Sequence, residues 1–446
     1  MSISTRSRDS KMKIEKKTEG QLWLKRCSIY FVFYTGGLLL ASFSSVLNQY
    51  SLDRGYSDVT ISGIFAIFVF GSLLSTYYGE KIIAHKGTSA SVHYSIFCGC
   101  IAMPLLSYLP DGWIAIPVFI NGMVFTFSTL AGGILANAWE HKYKVTVMGA
   151  AFAFVSIGSI MSLLLNGYLL NAGVSIETCV NILSAYIAVV NFLIFYTGQL
   201  LSKDEEDEMN GGEEKVDRNP EESDLLLHTP TPPTEVENHS TCTDERGSLD
   251  TFKFYVLLLN LMVVALMTSL VAGFAVIFMS DDGNVNPLTS QLGFVLFEFV
   301  GMAVAFLFDY ILELEVMKTE YIVFICNFIG CIGSITLFIS GDEITGNVDT
   351  KWVAFLGFMF LGVLMTNLPA CYEIAFTMDG IDSVQLNTYL TYTMVLGDII
   401  VGPMIGMISR YSSITYGWLA LGITTFVLNI VNYIFYCMRE KEGKSS

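Results

Sequence analysis

The sequence predicts an all-α membrane protein with twelve transmembrane helices in two six-helix halves. Hydrophobic residues make up 53% of the 446 residues and charged residues only 15%, and the mean hydropathy is +0.55. A soluble chain of this composition would expose large apolar patches to water. The net charge of −17 argues against a nucleic-acid partner. The composition therefore favours a protein whose solvent is largely the lipid bilayer.

Twelve apolar runs are each long enough to cross a membrane, which takes about 20 residues. Gly, Asp, Asn, Pro or charged residues separate each run from the next. No small-residue cleavage site follows the first run, so we expect it to be a retained helix and not a signal peptide. The predicted spans are 28–50, 59–80, 90–109, 112–136, 145–170, 178–201, 253–279, 289–312, 319–340, 351–377, 384–409 and 414–437.

A long polar segment lies between the sixth and seventh spans. Residues 202–251 contain sixteen Asp or Glu and four Lys or Arg, so they carry −12 of the total charge of −17. Such a composition cannot bury enough apolar area to offset the entropy of ordering. We predict a disordered acidic linker at 202–252 between an N-terminal half at 28–201 and a C-terminal half at 253–437. Residues 1–27 and 438–446 form a predicted arm and tail.

Basic residues predict the orientation of the chain. Only Arg54, Lys351 and Arg410 of the 24 Lys and Arg residues fall in the outer segments when both termini are placed in the cytosol. Because cytosolic loops carry an excess of Lys and Arg, this bias predicts cytosolic termini and a cytosolic linker. The five Trp residues lie near span ends, where we expect them to anchor at the lipid headgroups: Trp23, Trp113, Trp139, Trp352 and Trp418.

Two six-helix halves joined by a long cytosolic linker resemble the major facilitator superfamily of secondary transporters, over about residues 25–440. The resemblance implies pseudo-symmetric halves and a substrate site near the bilayer midplane. The signature of this superfamily follows spans 2 and 8. Its first copy is degenerate, with Gly79 and Gly87 but no Asp at the usual place, and its second copy has Asp309 followed by Lys318. The resemblance implies a gating role for these four residues.

A narrower pattern lies in the tenth span. The spacing G-x3-T-x2-P-x3-E-x-A from Gly362 to Ala375 resembles the feline leukaemia virus subgroup C receptor-related transporters. That family moves small organic cations such as choline and ethanolamine, and haem has been proposed as a further cargo. The family has a Trp-containing stretch late in span 1, whereas residues 43–50 here have Phe and Tyr but no Trp. A choline cage in this chain would therefore consist of Phe and Tyr.

Three carboxyl groups fall inside predicted spans. Glu298 and Asp398 lie about halfway along spans 8 and 11, and Glu373 lies nearer the cytosolic end of span 10. Ionisable residues at this depth are unfavourable unless they have a function or a partner. We interpret them as proton carriers or ligands of a cationic substrate. The structural alternative is a protonated acid that is hydrogen-bonded to Ser, Thr or Asn.

Small residues share helix faces with two of these acids. Gly301 and Ala305 follow Glu298 at helical spacing, and Gly402 and Gly406 follow Asp398. These faces are predicted to meet a neighbouring helix or a water-filled cavity. Gly402 and Pro403 are expected to bend span 11, which would free backbone carbonyls near Asp398 for a cation.

Uncharged polar residues in spans 1, 4, 7 and 10 are further candidates, because these spans line the cavity in the superfamily. Their alternative role is hydrogen bonding between helices. The candidates are Asn48, Gln49, Asn121, Asn260, Thr366 and Asn367.

The sequence shows no feature of an enzyme. It has neither a Gly-rich phosphate loop with Lys nor a Ser-His-Asp arrangement, and its nine Cys match neither a zinc site nor a disulfide framework. No cofactor or metal is expected. No span has Lys or Arg in its interior, which disfavours an anionic substrate. We predict a secondary transporter of a small organic solute that works by alternating access and is proton-coupled or carries an organic cation. The alternatives are an uncoupled facilitator or exchanger and a non-transporting receptor or scaffold.

The linker also contains a candidate sorting signal. Glu221, Glu222, Leu225 and Leu226 fit the acidic dileucine pattern Asp/Glu-x3-Leu-Leu in two registers. If an adaptor binds this segment, the protein resides in or cycles through endosomal or lysosomal membranes. If the pattern is a chance cluster, the plasma membrane is equally compatible with the sequence.

The basic-residue bias gives a first testable prediction. Epitope tags at residue 1, at residue 446 and within residues 202–251 should all be reached by antibody only after the membrane is permeabilised. Protease cleavage of the linker in intact cells, from the outer face, would contradict this topology.

Overall fold

The computed structural model describes residues 3–143, 147–197, 243–280, 287–314, 317–341, 348–376, 383–411 and 413–443. These residues form twelve long helices, of which the tenth has two parts. The helices are α1 (Ile3–Arg54), α2 (Asp58–Lys86), α3 (Thr88–Tyr108), α4 (Ala115–Tyr143), α5 (Met148–Asn171), α6 (Ile176–Thr197), α7 (Thr243–Ser280), α8 (Pro287–Glu313), α9 (Thr319–Gly341), α10a (Val348–Val363), α10b (Asn367–Phe376), α11 (Ser383–Tyr411) and α12 (Thr415–Gly443).

Each predicted span corresponds to one of these helices, so the predicted all-α fold with twelve spans is confirmed. In the described part of the chain, twelve helices are long and apolar enough to cross a membrane. Five of them extend well beyond the predicted spans: α1 begins at Ile3, α2 ends at Lys86, α4 ends at Tyr143, α7 begins at Thr243, and α12 ends at Gly443. Asp244 and Glu245 directly follow the start of α7, where acidic residues favour a helix N-terminus. Residues 202–242 of the predicted linker lie outside the described ranges. Residues 243–252 belong to α7, so the prediction of disorder is wrong for this part of the linker.

Short connections join consecutive helices. Ser57 caps α2, because its side chain accepts a hydrogen bond from the Thr60 backbone N–H at 3.3 Å. Gly87 joins α2 to α3 with φ of +81°, a conformation that other residues rarely adopt. The predicted gating residue Gly87 therefore has a structural role at this turn.

Within the N-terminal half, glycines bring helix backbones into direct contact. A Cβ atom at Gly122 of α4 would lie 1.9 Å from the Phe68 carbonyl oxygen of α2, and one at Gly71 of α2 would lie 2.2 Å from the Phe119 carbonyl oxygen. No side chain larger than hydrogen fits at such distances. The crossing of α2 and α4 is thus fixed from both sides.

The C-terminal half repeats this crossing in the equivalent helices α8 and α10a. A Cβ atom at Gly362 would lie 2.4 Å from the Phe297 carbonyl oxygen, and one at Gly301 would lie 3.1 Å from Met365 Cβ. Helices 2 and 4 of each half therefore approach each other through a pair of facing glycines. This repetition supports the pseudo-symmetry that the six-plus-six pattern implies.

A similar pair joins α1 to α5. A Cβ atom at Gly37 would lie 1.9 Å from the Val155 carbonyl oxygen, and one at Gly158 would lie 2.1 Å from the Tyr34 carbonyl oxygen. The backbones of α1 and α5 therefore touch in the middle of the N-terminal half. This contact also determines which face α5 presents to the other half.

The two halves meet along two pairs of helices, α5 with α8 and α2 with α11. Phe152 of α5 also contacts Tyr372 of α10b, with ring centroids 5.6 Å apart. A Cβ atom at Gly402 of α11 would lie 3.2 Å from the Ser62 carbonyl oxygen of α2. We call the contact between α5 and α8, together with the adjoining face of α1, the seam.

The irregular segment of the C-terminal half lies in span 10. A 3-10 turn over Leu364–Thr366 separates α10a from α10b, and Pro369 follows at the third position of α10b, where its missing N–H is tolerated. By contrast, α11 continues from Ser383 to Tyr411 with Pro403 inside it. The sequence drew attention to Pro403 and missed the turn in span 10.

Two of the five Trp residues differ from the prediction of headgroup anchors. Trp418 is 0% exposed and packs between Phe278 and Phe358, with centroid distances of 5.7 and 5.6 Å. Trp139 is 3% exposed. Both belong to the protein core, and for Trp418 the aromatic partners inside the bundle outweigh contact with headgroups. The exposed Trp residues are Trp23, Trp113 and Trp352.

The glycine contacts predict opposite effects at two positions of the N-terminal half. Gly158→Ala should destabilise the protein by about 1–3 kcal/mol, because its methyl group would overlap a backbone carbonyl that cannot move alone. Gly63 of α2 has no atom within 4 Å of its Cβ position, so Gly63→Ala should leave stability unchanged or raise it by up to about 1 kcal/mol. Thermal unfolding of the purified variants measures both, and equal melting temperatures would contradict the packing argument.

Candidate functional site

Glu298 lies in the seam between the two halves. Glu298 is 1% exposed, and its carboxyl group hydrogen-bonds with the side chains of Ser156 and Ser159 of α5. Its Oε2 atom has no hydrogen-bond partner among the described residues. Glu298 belongs to the C-terminal half and the two serines belong to the N-terminal half. These hydrogen bonds would therefore break if α5 and α8 separated.

The sequence of α5 explains why a carboxyl group can approach it there. Ser156, Gly158 and Ser159 are small residues within four positions near the middle of the helix. Gly158 packs against the α1 backbone, and Ser159 Oγ also donates to the Gly37 carbonyl at 3.3 Å. The α5 helix is therefore held against α1 while its serines reach Glu298 on α8.

Asp398 has a different environment. Its Oδ1 atom accepts a hydrogen bond from Ser269 Oγ of α7 at 2.5 Å, so this contact lies within the C-terminal half. The residue keeps part of its surface exposed. Gly402 and Gly406, on the following turns of α11, face Ser62 of α2. The small-residue face thus meets a helix of the other half, which is one of the two environments that the helical spacing predicts.

Glu373 is partly exposed on α10b. It lies on the short helix that follows the 3-10 turn, and Thr366 and Asn367 flank the junction. Thr366 and Asn367 are 1% and 0% exposed. Glu373 is therefore partly exposed, whereas Thr366 and Asn367 of the same span are buried.

Four buried asparagines form a continuous network inside the C-terminal half. Asn260 of α7 and Asn432 of α12 exchange two hydrogen bonds of 3.0 Å. Asn327 of α9 donates to Asn260 Oδ1 at 2.8 Å, and Asn367 of α10b donates to Asn327 Oδ1 at 3.0 Å. The network links four helices, which is the alternative role that the sequence left open for Asn260 and Asn367. Sequence reasoning could not assign Asn327 and did not consider Asn432.

A small, partly open pocket with a cavity volume of about 30 Å³ adjoins this network. Its lining includes the amides of Asn260 and Asn432, the charged residues Lys253 and Glu320, and apolar side chains. Lys253 and Glu320 lie at the first turns of spans 7 and 9, so the predicted topology places the pocket near the cytosolic face.

The remaining predicted residues are dispersed. Asn121 is buried and donates to the Pro117 carbonyl of its own helix at 2.9 Å. Gln49 is partly exposed, Gly79 is buried against Leu130 and Phe127, and Lys318 is exposed. The side chains of Asn48 and Asp309 lie outside the described part of the structure. The sorting residues Glu221, Glu222, Leu225 and Leu226 also lie outside it.

The described residues contain no group of three or more His, Cys, Asp or Glu side chains that could hold a metal ion. Seven of the cysteines have described thiols, and none of these is in a disulfide. The chemistry that the described site offers is therefore hydrogen bonding and proton binding by Glu298, Asp398 and Glu373, together with neutral Ser and Asn groups.

Comparison with known proteins identifies the fold. No protein-family model matches the chain, and no curated protein matches it in sequence. Among solved structures, the crystal structure of the nucleoside transporter NupG is similar, with a TM-score of 0.61 and 10% identity over 92% of this chain and 99% of that chain. A point mutant of NupG is similar at a TM-score of 0.62, 10% identity and 92% coverage of this chain. The chain therefore has the twelve-helix major facilitator fold.

The asparagine network gives a prediction about stability. Asn327→Leu should destabilise the protein by about 1–3 kcal/mol, because it leaves the buried Asn367 amide without its acceptor. Thr424→Val is the control, since the exposed Thr424 hydroxyl donates to the Ala420 carbonyl of its own helix and its loss should change stability by less than about 0.5 kcal/mol. Thermal unfolding compares the two variants. Equal destabilisation by the two variants would mean that the buried network stabilises the protein no more than one exposed hydrogen bond does.

Proposed function

We propose that this protein is a secondary transporter that moves a small organic solute across a membrane by alternating access, with Glu298 and Asp398 as proton or cation sites. The observation that carries the proposal is the hydrogen bonding of Glu298 to Ser156 and Ser159, because it joins the two halves at mid-membrane depth. The major facilitator fold supports it, since its two halves rock about a site between them.

The charge of Glu298 bears directly on whether the halves stay together. A protonated carboxyl group can both donate to and accept from serine hydroxyls, whereas an ionised one can only accept. An ionised carboxylate is unfavourable in a closed apolar seam without a cation, and no span carries Lys or Arg in its interior. A proton or a cationic substrate at Glu298 therefore favours the closed seam, and its release favours separation.

Asp398 complements this role. It is partly accessible, and its bond to Ser269 stays within one half when the halves move. These properties suit a group that exchanges a proton or a cation with water while Glu298 responds to the conformation. Glu373, also partly exposed, is a secondary candidate for the same exchange.

Two substrate classes are favoured. Organic cations fit a site with acids and no bases, and the resemblance of Gly362–Ala375 to the feline leukaemia virus subgroup C receptor-related transporters points to the same class. Nucleosides are the second class, because NupG has this fold and because neutral Asn and Ser groups suit an uncharged solute with many hydrogen-bonding groups. Anions are disfavoured by the absence of basic residues inside the spans.

The alternatives that the sequence left open predict different measurements. An uncoupled facilitator or exchanger would transport substrate without responding to a pH gradient. A non-transporting receptor would bind but not move it, and buried acids would serve no purpose there. The protein is proposed to reside in the plasma membrane or in endosomal or lysosomal membranes, depending on whether an adaptor binds the dileucine segment.

Substitution of the two acids separates the proposed roles. Purified protein in liposomes would be given choline, uridine, a sugar and an amino acid, with and without a pH gradient. If Glu298 or Asp398 carries the proton, Glu298→Gln or Asp398→Asn should abolish gradient-driven accumulation and retain substrate exchange. If either acid ligates a cationic substrate, binding should weaken by about 1.5–3 kcal/mol, the value of a hydrogen bond to a charged group.

Glu177→Gln provides the matched control. Glu177 lies in the first turn of α6, outside the bundle interior, so neutralising it should change neither accumulation nor binding. Wild-type accumulation and binding in both acid variants would show that the acids are structural, and the proposed mechanism would then be wrong.

A further inference from the structure

A row of buried polar side chains extends along the seam from Glu298 towards the predicted outer face. On α8, Gln291 lies seven residues before Glu298, which is about 10 Å along the helix, and it is 3% exposed. On α5, the row continues at helical spacing with residues that are each at most 2% exposed: Ser156, Ser159, Ser162 and Asn166.

Hydrogen bonds to α1 complete the row. They join Ser42 Oγ to Ser162 Oγ at 2.8 Å, Gln291 Nε2 to Ser45 Oγ at 3.1 Å, and Ser159 Oγ to the Gly37 carbonyl at 3.3 Å. The three helices thus surround one polar path inside an otherwise apolar bundle.

Several atoms along this path have no hydrogen-bond partner among the described residues. They are both side-chain atoms of Asn166, Oε1 of Gln291 and Oε2 of Glu298. Asn166 is 0% exposed, and its amide has two N–H donors and an acceptor to satisfy. Buried polar groups are almost always hydrogen-bonded, and ordered water serves where no side chain reaches. These atoms therefore point to water as the ligand of the path.

A glycine lies beside Gln291 at the outer end of the path. A Cβ atom at Gly167 would lie 3.2 Å from Gln291 Oε1 and 3.0 Å from Leu288 Cδ1. A larger residue would press on the Gln291 amide. Gly167 lies four residues before Asn171, the last residue of α5, and Gln291 lies four residues after Pro287, the first residue of α8. The unpartnered amides are thus about one turn from the helix ends.

We propose that the seam holds a file of ordered water from the predicted outer face to Glu298, and that protons reach this carboxylate through it. The inference rests on the proposed role of Glu298. In each transfer, an O–H bond forms on the next water and one breaks on the preceding water. The last transfer converts the Glu298 carboxylate into a neutral acid, and no other reactant is needed. The Ser, Asn and Gln side chains keep their protons and act as positioning residues.

Among the described side chains of α1, α5 and α8, Glu298 is the one carboxyl or basic group at mid-membrane depth. The α5 helix has no Asp, Glu, His, Lys or Arg at all. Tyr34 of α1 faces away to hydrogen-bond with Tyr186 of α6 at 2.6 Å. The charged residues in the spans of the neighbouring α1, α7 and α10 lie near span ends: Arg26, Lys253, Lys351 and Glu373.

Radiolytic hydroxyl-radical labelling tests for the water itself, because radicals generated from bound water oxidise the side chains next to it. Leu163, between Ser162 and Asn166, should be oxidised in the purified protein although it is 0% exposed. Leu337 of α9 is also 0% exposed and is the matched control, which should stay unlabelled. Equal and negligible labelling of the two leucines would mean that the seam is dry and would overturn the proposal.

The proton route is tested by transferring the protein in liposomes to D2O and following the Glu298 carboxyl band by infrared spectroscopy. The Glu298→Gln variant identifies the band by its loss. Asn166→Leu should slow hydrogen–deuterium exchange of this band by about tenfold, the kinetic effect of losing one hydrogen bond along the path. Asn429→Leu is the control, since Asn429 is also buried with an unpartnered Oδ1 but lies on α12, and it should exchange at the wild-type rate.

Gel filtration and thermal unfolding establish that Asn166→Leu is folded, and Gln291→Leu provides a second variant of the path if it is not. Wild-type exchange in these variants, with or without labelling of Leu163, would overturn the route. A separate result would contradict the proposed function. If Glu298→Gln accumulates substrate normally in a pH gradient, Glu298 does not carry the coupled proton, and the route has no role in coupling.

Discussion

The close approach of helix backbones at glycine is the constraint on which the rest of this structure depends. In lipid, helices gain little from the hydrophobic effect when they associate, so close packing and interhelical hydrogen bonds hold them together. The facing glycines of α2 and α4, of α8 and α10a, and of α1 and α5 reduce each crossing to backbone contact. Each contact fixes both the depth and the rotation of its helices. The rotation of a helix therefore decides which neighbouring helix its polar side chains contact.

Contacts within each half differ in kind from contacts between the halves. Inside each half, backbone contacts and the asparagine network tolerate little displacement, since packed interfaces resist deformation. Between the halves, the seam has serines, amides and a carboxyl group in addition to apolar contacts. In the proposed mechanism, water replaces these contacts when the halves separate, and the strength of the contacts depends on the charge of Glu298. Motion that leaves each half rigid and opens the seam is therefore the one that the distribution of contacts favours.

The two mid-membrane acids differ because of their neighbours and not because of their depth. Glu298 is sealed and bonded across the halves, whereas Asp398 is partly exposed and bonded to Ser269 within one half. In the proposed mechanism, Glu298 responds to the interface between the halves and Asp398 exchanges a proton or cation with water. The proposed water file addresses the remaining difficulty, which is how a proton would reach a sealed carboxyl group.

The sequence by itself determined the number of spans, the division into halves and the presence of acids at mid-depth, because an apolar run of about 20 residues is a local property. It also predicted that the small residues after Asp398 face another helix or a water-filled cavity. Only the tertiary structure decided partners. Asn327 and Asn432 are 105 residues apart in the chain and share a network, and nothing in their local patterns distinguishes them from lone polar residues. The position of Trp418 near a span end follows from the local sequence. Its aromatic neighbours come from distant segments, so the sequence could not predict that it is buried. The sequence gives a helix face its chemistry, but which neighbour the face meets depends on the rotation of the helix, and packing against distant segments sets that rotation.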